Sequence, residues 1–563
     1  MRRSVLTLVL LSCFTFFLGL GRPAISDSDE GFYAEAAREM VEAGDWLTPH
    51  FNYEDRWQKP ILYYWLTAAT YLGAGESEWA ARWWSAFSGL GLVLLTWAAA
   101  RTLTGRDDAA WLAGAMTATC YGCFAMARLA LPDLPLTFLI TLAIWSALEQ
   151  RWILAGVAAG LGLLMKGPIA LAIPAVVLVP IWWREAAFAK VAARRAATSQ
   201  HWPDGPLPRT VPPPRLFTVR RGPLRSAFVC AAVALPWYIG MTLEHGTAYL
   251  QSFLVGDNLE RFATDRFNEP RALWFYLPIA VGGMMPWSVY LLVPFQSAVR
   301  VVRRQRRLTG VEWRLLLWAA VPLLFFTISI GKQPRYILPV LPPLAILLAR
   351  SISTRIADAN RGPALAAATW GTAALYAAIA LLLYRARPLF INTYPWLTLL
   401  GVGLIAGCAA VPAWVALSKQ WARLPLTATI CAGLLLLSIQ FGALAGARPE
   451  PVEQIAALVR AHRRANEPVG TYQTFVRNLV FYTRFKHVDL YDEGVALNFL
   501  KSPGRVLLVV RALDLPRLQA ISGVAVRPIA RLQYFNAASV RLRTILSPIP
   551  EQDLETILLV TNQ

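Results

Sequence analysis

Two adjacent carboxylates, Asp29-Glu30, stand at the head of a segment in which Tyr33, Ala36, Ala37 and Met40 recur at helical spacing. A carboxylate within hydrogen-bond reach of a hydroxyl can orient it or take its proton. The competing use of acids at that position is to cap the helix, whose dipole favours negative charge at its start. Lys59 follows in the same segment, just before Pro60 and an aromatic run containing Tyr63, Tyr64 and Trp65. An ammonium held at a bilayer boundary can serve a lipid phosphate, or merely snorkel to water. Three more segments place ionisable groups in or beside apolar stretches. They are Arg128 with Asp133, Lys166 within Leu164-Met165-Lys166-Gly167-Pro168, and Lys332-Gln333-Pro334-Arg335-Tyr336. Charge at membrane depth is costly and marks either function or internal pairing. Gathered on one side of a membrane, these groups would hold an anionic amphiphile beside an acid.

The elements that must gather them are membrane spans. The chain has 563 residues, 56% of them hydrophobic and only 16% charged, against about 25% charged in soluble proteins. Its mean hydropathy is positive. Stretches long enough to cross lie near 4–20, 79–101, 108–127, 131–147, 151–164, 167–184, 225–243, 273–297, 312–330, 334–350, 363–384, 394–417 and 424–446. That makes about 13 spans, some of them short for a full crossing. The first continues past Leu10-Leu11-Ser12-Cys13, so a retained span is expected there rather than a cleaved lipoprotein-like leader. The six cysteines all lie in apolar runs. Cys120-x-x-Cys123 has redox or metal spacing, but with no second pair it reads as packing.

Charge sets the orientation. The net charge of +20 would suit a nucleic acid partner, but in a multi-span chain Arg and Lys collect in cytoplasmic loops, and no nucleic acid is expected. The loops at 185–224 and 298–311 are strongly basic, whereas 21–78 carries eleven acidic and four basic residues. With the N-terminus cytoplasmic, the first two fall inside and the third falls outside, as the positive-inside rule requires. The 185–224 loop, rich in Pro and Arg, is expected to be poorly ordered. All the candidate groups above then face the outer side. After about Gly446 the pattern changes. Residues 451–465 read as an amphipathic helix, 469–475 and 506–510 as strands, and 478–485 as a short helix. The expected architecture is an α-helical polytopic membrane domain, 1–446, whose first outer loop 21–78 carries an amphipathic surface helix. A small periplasmic α/β domain, 447–563, follows it.

Several of these segments resemble the lipid A aminoarabinose transferase family. They are Asp29-Glu30 with Tyr33-Ala34-Glu35, Arg38-Glu39-Met40 and Gly44-Asp45-Trp46, then Lys59-Pro60 and Tyr63-Tyr64-Trp65. Supporting matches are Arg128 with Asp133, Leu164–Pro168, Asn258-Leu259-Glu260-Arg261-Phe262, Pro286-Trp287 and Lys332–Pro339. That family is related to the protein O-mannosyltransferases within the multi-span GT-C glycosyltransferases. The resemblance runs from about residue 25 to 350 and extends in layout to the remaining spans and tail.

It implies an inverting transferase of the bacterial inner membrane, working as a monomer on a sugar (aminoarabinose- or hexose-like) carried by undecaprenyl phosphate. The acceptor would be lipid A or another envelope lipid or glycan. Asp29, with Glu30 beside it, maps to the catalytic position. Lys59, Tyr63, Arg128, Asp133, Lys166, Lys332, Arg335 and Tyr336 map to substrate binding.

Two positions depart from the family. Gln58 replaces the Glu that precedes the Lys, and Asn268-Glu269-Pro270 replaces a His-containing stretch. Both belong to the family's metal site, and Gln is a poor ligand. A tightly bound zinc ion is therefore not expected, Glu269 being the residue that offsets part of the loss should a divalent cation bind. Two other activities fit the same charges: a flippase of polyprenyl-linked anionic lipids, and protein O-mannosylation. The first would be expected to show inverted repeats and broken helix pairs, which the sequence lacks. A non-catalytic scaffold would leave the clustered charges unexplained.

Overall fold

The computed structural model describes residues 1–198, 221–264, 271–303, 308–358, 363–537 and 540–563. By length and composition, eight helices among them can cross a membrane, or up to ten if each bent pair is one span. This is fewer than the thirteen apolar stretches, because several break or stop short. Cys120 interrupts Asp107–Thr119 and Tyr121–Ala127 with a 54° bend, and Leu273–Gly283 turns by 111° into Trp287–Ser297. Asp133–Leu148 and Trp152–Lys166 are apolar but shorter than a full span. The first helix, Arg2–Ser12, runs on through Cys13–Phe17. The chain is a multi-pass membrane protein. Exposed Phe228, Leu235, Ile239, Leu243, Trp183 and Leu277 form the apolar exterior that lipid would cover.

Where lipid surrounds a helix on all sides, close packing rather than water exclusion drives association, and small residues allow it. Gly156-x-x-x-Gly160 seats Trp152–Lys166 against Gly222–Leu250. A Cβ on Gly156 would fall 2.5 Å from the Ser226 carbonyl oxygen, and one on Gly160 would fall 2.7 Å from Val233 Cβ. The helix Ile169–Thr198 continues through the first part of the basic loop expected to be poorly ordered. Positions 199–220 of that loop lie outside the described residues.

The outer loop contains the helix Asp29–Ala43, then a hairpin of β1 (His50–Phe51) and β2 (Glu54–Asp55), then the helix Leu62–Ala74. Ser28 caps the first helix, its hydroxyl accepting the Glu30 amide, and Gly44 closes it at φ 69°. Asp29 and Glu30 therefore do not serve as its cap. The helix was expected to lie half in water, yet Glu30, Glu35, Arg38 and Glu39 are all buried with the apolar stripe. Its charged face is covered and mostly paired internally, with Glu39 Oε1 buried without a hydrogen bond. Arg38 pairs with Glu35 at 2.6 Å and Glu42 at 2.7 Å, and Glu39 accepts the Tyr53 amide at 2.9 Å.

Tyr53 of the hairpin, the helix Leu62–Ala74 and Arg82 supply most of that cover, and the C-terminal region packs beside them. After the helix Pro451–His462, a five-stranded sheet is built from β3 (Val469–Tyr472), β4 (Val488–Leu490), β5 (Leu507–Arg511), β6 (Arg527–Tyr534) and β7 (Glu555–Thr561), in the order β4-β3-β5-β7-β6. The pairs β3–β4 and β3–β5 are parallel, while β7 runs antiparallel to both β5 and β6. β3 is buried along its whole length, as parallel strands covered on both faces are. Val469, Leu507, Val509 and Ile557 pack with Ile455 and Val459 on one face, and Leu508, Val510 and Val560 pack with Phe499 and Leu518 on the other. Polar bonds lock this region to the outer loop. Asn52 Nδ2 donates to the His487 carbonyl at 2.9 Å, and Lys486 pairs with Glu54 at 2.8 Å.

Candidate active site

Asp29 begins its helix at the rim of a cavity of about 920 Å³. Elements far apart in sequence line this cavity. Lys59 comes from the loop before Leu62–Ala74. Asp133 is the first residue of Asp133–Leu148, and Lys166 is the last of Trp152–Lys166. A carboxylate at a helix start and an ammonium at a helix end are each favoured by the helix dipole. Here the two ends meet in an Asp133–Lys166 ion pair. The turn Pro334–Val340 delivers Arg335 and Tyr336. Arg335 pairs with Asp29, and its Nε lies 3.6 Å from Asp133 Oδ2. That Nε is buried without a hydrogen bond. Lys59 reaches Asp257 at 3.2 Å, and the Lys166 ammonium lies 5.1 Å from the Tyr336 ring centre.

Burial pushes the Asp29 carboxyl up, but Arg335, Arg477 and Arg56 outweigh it and hold it below the usual carboxylate range. The group is thus anionic at neutral pH. A second cavity of about 600 Å³ is almost wholly apolar and runs between Trp152–Lys166, Ile169–Thr198 and Gly222–Leu250. Pro168 and Leu254 line both cavities. The charged chamber therefore opens beside an apolar groove at the Lys166 and Asp257 side.

Asp29, Lys59, Asp133, Lys166, Arg335 and Tyr336 are thus brought together, and four other expected residues are not. Glu30 points away from the cavity into a buried pair with Arg82 at 2.7 Å, and it also accepts from the Ser26 and Ala130 amides, each at 2.9 Å. All its charge goes to fixing the helix. Tyr63 is enclosed, its hydroxyl 2.9 Å from Ser85 Oγ. Arg128 was expected to face the substrate. It instead donates to the carbonyls of Thr15 at 3.1 Å and Gly19 at 3.2 Å, tying the end of the first helix in place. Lys332 is buried outside the cavity lining.

Three charged lining residues were absent from the expected set: Arg56, Asp257 and Arg477. Arg56 is one of only four basic residues in an acidic loop, which was a usable signal. Nothing local marks Arg477.

The carboxylates do not form a metal nest. Asp29, Asp133 and Asp257 are each engaged by a cation. Among the described residues no three His, Cys, Asp or Glu are placed to hold an ion. Gln58 lines the cavity, and Glu269 lies outside the described residues. The donors among the described residues do not fit a zinc ion.

The family model described as dolichyl-phosphate-mannose-protein mannosyltransferase matches residues 7–202. Curated relatives carry the name undecaprenyl phosphate-alpha-4-amino-4-deoxy-L-arabinose arabinosyl transferase. One from Enterobacter sp. (strain 638) is 29% identical over 63% of this chain and 61% of its own length. One from Aeromonas salmonicida is 33% identical over 60% and 57%. One from Erwinia tasmaniensis is 31% identical over 77% and 76%. The chain thus spans about three-fifths of the length of the first two. Among solved structures, ArnT from Cupriavidus metallidurans bound to undecaprenyl phosphate superposes with a TM-score of 0.71 at 20% identity, covering 99% of this chain and 98% of that one. An Archaeoglobus fulgidus oligosaccharyltransferase gives 0.50 at 12% identity over 92% and 70%. The fold is shared with these two structures.

Proposed function

The chain belongs to the family of undecaprenyl phosphate-aminoarabinose arabinosyl transferases, and from that premise we propose that it transfers a sugar from an undecaprenyl-phosphate carrier to an envelope lipid or glycan. One observation carries the reading. A cation-held carboxylate, Asp29, shares a chamber with Lys59, Lys166 and Arg335, and that chamber adjoins an apolar groove. The polyprenyl tail lies in the groove and its phosphate sits where groove and chamber meet, among those cations. The acceptor oxygen bonds to the anomeric carbon as the bond to the phosphate oxygen breaks, with inversion. Asp29 orients the acceptor hydroxyl and receives its proton, and the cations stabilise the departing polyprenyl phosphate. Arg335, shared by Asp29 and Asp133, is the switch between the two roles. The donor phosphate draws it away from Asp29, which loses a neutralising partner and gains proton affinity. The protein sits in the bacterial inner membrane as a monomer, with its N-terminus cytoplasmic and with the chamber and C-terminal domain, 447–563, periplasmic.

The test is Asp29→Asn in the full chain reconstituted in lipid, with carrier binding and transfer both measured. Transfer should fall by about 10²–10⁴-fold while undecaprenyl phosphate still binds. A fully active Asp29→Asn protein overturns the assignment. Mass spectrometry of envelope lipids and glycans from a deletion strain, read for one missing sugar and for accumulated carrier, identifies the sugar and the acceptor.

A further inference from the structure

The cations of the chamber fall into two sets. Lys166 and the Lys59–Asp257 pair stand at the mouth of the apolar groove, since Pro168 and Leu254, which line both cavities, are near neighbours of Lys166 and Asp257 in sequence. Arg56 and Arg477 form the other set, around Phe32. The Arg56 guanidinium carbon lies 4.0 Å from the Phe32 ring centre and that of Arg477 lies 5.3 Å from it. Arg56 also donates to the Tyr64 hydroxyl at 3.2 Å. Arg477 approaches Asp29 at 4.0 Å.

Arg477 belongs to the C-terminal region, and its position is enforced by the backbone. Its amide donates to Asp27 Oδ1 at 2.9 Å. Asn478 Nδ2 donates to the Ile25 carbonyl, and the Tyr482 hydroxyl accepts the Ile25 amide, each at 2.8 Å. Gly31 allows the closest approach: a Cβ there would lie 2.3 Å from the Arg477 carbonyl oxygen. The segment carrying the catalytic carboxylate and the segment carrying Arg477 are thus built as one unit.

We propose that Arg477 and Arg56 form a second anion subsite, which holds an anionic oxygen group of the acceptor beside Asp29 while the carrier phosphate occupies Lys59 and Lys166. This inference rests on the transferase reading. Two guanidiniums held against one aromatic ring, Phe32, present forked donors suited to a phosphate or carboxylate. Stacking on Phe32 holds them in place without consuming those donors. One carboxylate served by Arg335, Arg477 and Arg56 leaves cationic capacity for an arriving anion. The subsite uses side chains other than Lys59 and Lys166, so both substrates reach the carboxylate without competing for one set of cations. It also makes the C-terminal domain part of the binding site, since the membrane domain alone lacks Arg477.

The experiment uses the full chain in lipid nanodiscs saturated with undecaprenyl phosphate, titrated calorimetrically with inorganic phosphate and, separately, with acetate. At least one should bind. Phosphate alone assigns a phosphate acceptor group, and acetate alone assigns a carboxylate. Arg477→Gln and Arg56→Gln should each weaken that binding about tenfold or more, with undecaprenyl phosphate affinity changed by less than about threefold. Arg477→Lys should recover part of the loss. Lys59→Ala should do the reverse, weakening the carrier and sparing the small anion. The proposal is overturned if neither anion binds at carrier saturation, or if Arg477→Gln and Arg56→Gln leave anion binding unchanged. It is equally overturned if they weaken carrier and anion alike. A Lys59→Ala protein that keeps full carrier affinity contradicts the carrier reading and leaves the second subsite to be judged by its own variants.

Discussion

The variant Glu30→Gln removes one charge from a buried ion pair while keeping the side chain's shape. Glu30 is 0% exposed and Arg82 1%. Their oxygens and nitrogens meet at 2.7 and 3.2 Å. Arg82 also donates to the carbonyls of Leu20, Pro23 and Ala24 at 3.0, 2.7 and 2.8 Å. Breaking a buried pair from one side costs about 3–5 kcal/mol, because the remaining charge is stranded in low dielectric. Those three carbonyl bonds partly solvate the guanidinium, which places the cost near the lower end, about 3 kcal/mol. A loss of that size lowers the folded-to-unfolded ratio by roughly 100-fold. The amide nitrogen that Glu30→Gln introduces would also face either the Ser26 or the Ala130 amide, each of which now finds an oxygen. Thermal unfolding in nanodiscs, followed by intrinsic fluorescence, reads the stability. Transfer assayed below both melting transitions reads the chemistry. Glu30→Gln should melt well below the parent, with its activity per folded molecule within a few-fold, whereas Asp29→Asn should melt near the parent and be inactive. A Glu30→Gln protein that melts with the parent, or one that folds normally and is as inactive as Asp29→Asn, refutes the assignment of Glu30 to structure.

Two further outcomes follow from the seam between outer loop and C-terminal domain. Gly31→Ala forces a methyl group into the Arg477 carbonyl, so it should cost about 1–3 kcal/mol as overpacking does. It should also reduce transfer by displacing Arg477, which unfolding and transfer assays on the same preparation would show. Burial raises the Asp489 carboxyl to about 6, with Glu54 and Asp27 adding to the shift. Because the folded value lies above the unfolded one of about 3.9, the neutral form is favoured in the fold, and stability is lost as pH rises from about 4 to 6. Asp489→Asn should therefore stabilise the protein at pH 7 by up to about 3 kcal/mol. A melting temperature that does not rise in Asp489→Asn at pH 7, or a parent protein with no pH dependence across that window, contradicts this.

The sequence alone determined that the chain is a multi-span membrane protein and which charges sit in or beside apolar runs, and the sidedness of its loops is an expectation from their charge. These follow from local rules: apolar length sets spans, basic loops set sides, and an isolated charge in an apolar run announces itself. Lys59, Asp133, Lys166 and Arg335 were legible for that reason. It could not sort charges that act on substrate from charges that hold the fold. Asp29 and Glu30 are neighbours of the same chemistry, yet successive helical side chains point about 100° apart. One therefore lines the chamber while the other meets Arg82. Arg128 looked like a site cation and proved to be a tie to backbone carbonyls. The surface helix read as half-solvated because periodicity records only which face is apolar. That its charged face is covered depends on Tyr53 of the hairpin and on Arg82 of a later helix, tertiary contacts that periodicity does not record. Arg477 is the limiting case: its place beside Asp29 exists only once the C-terminal domain has docked, and long-range contact of that kind leaves no periodicity in the chain.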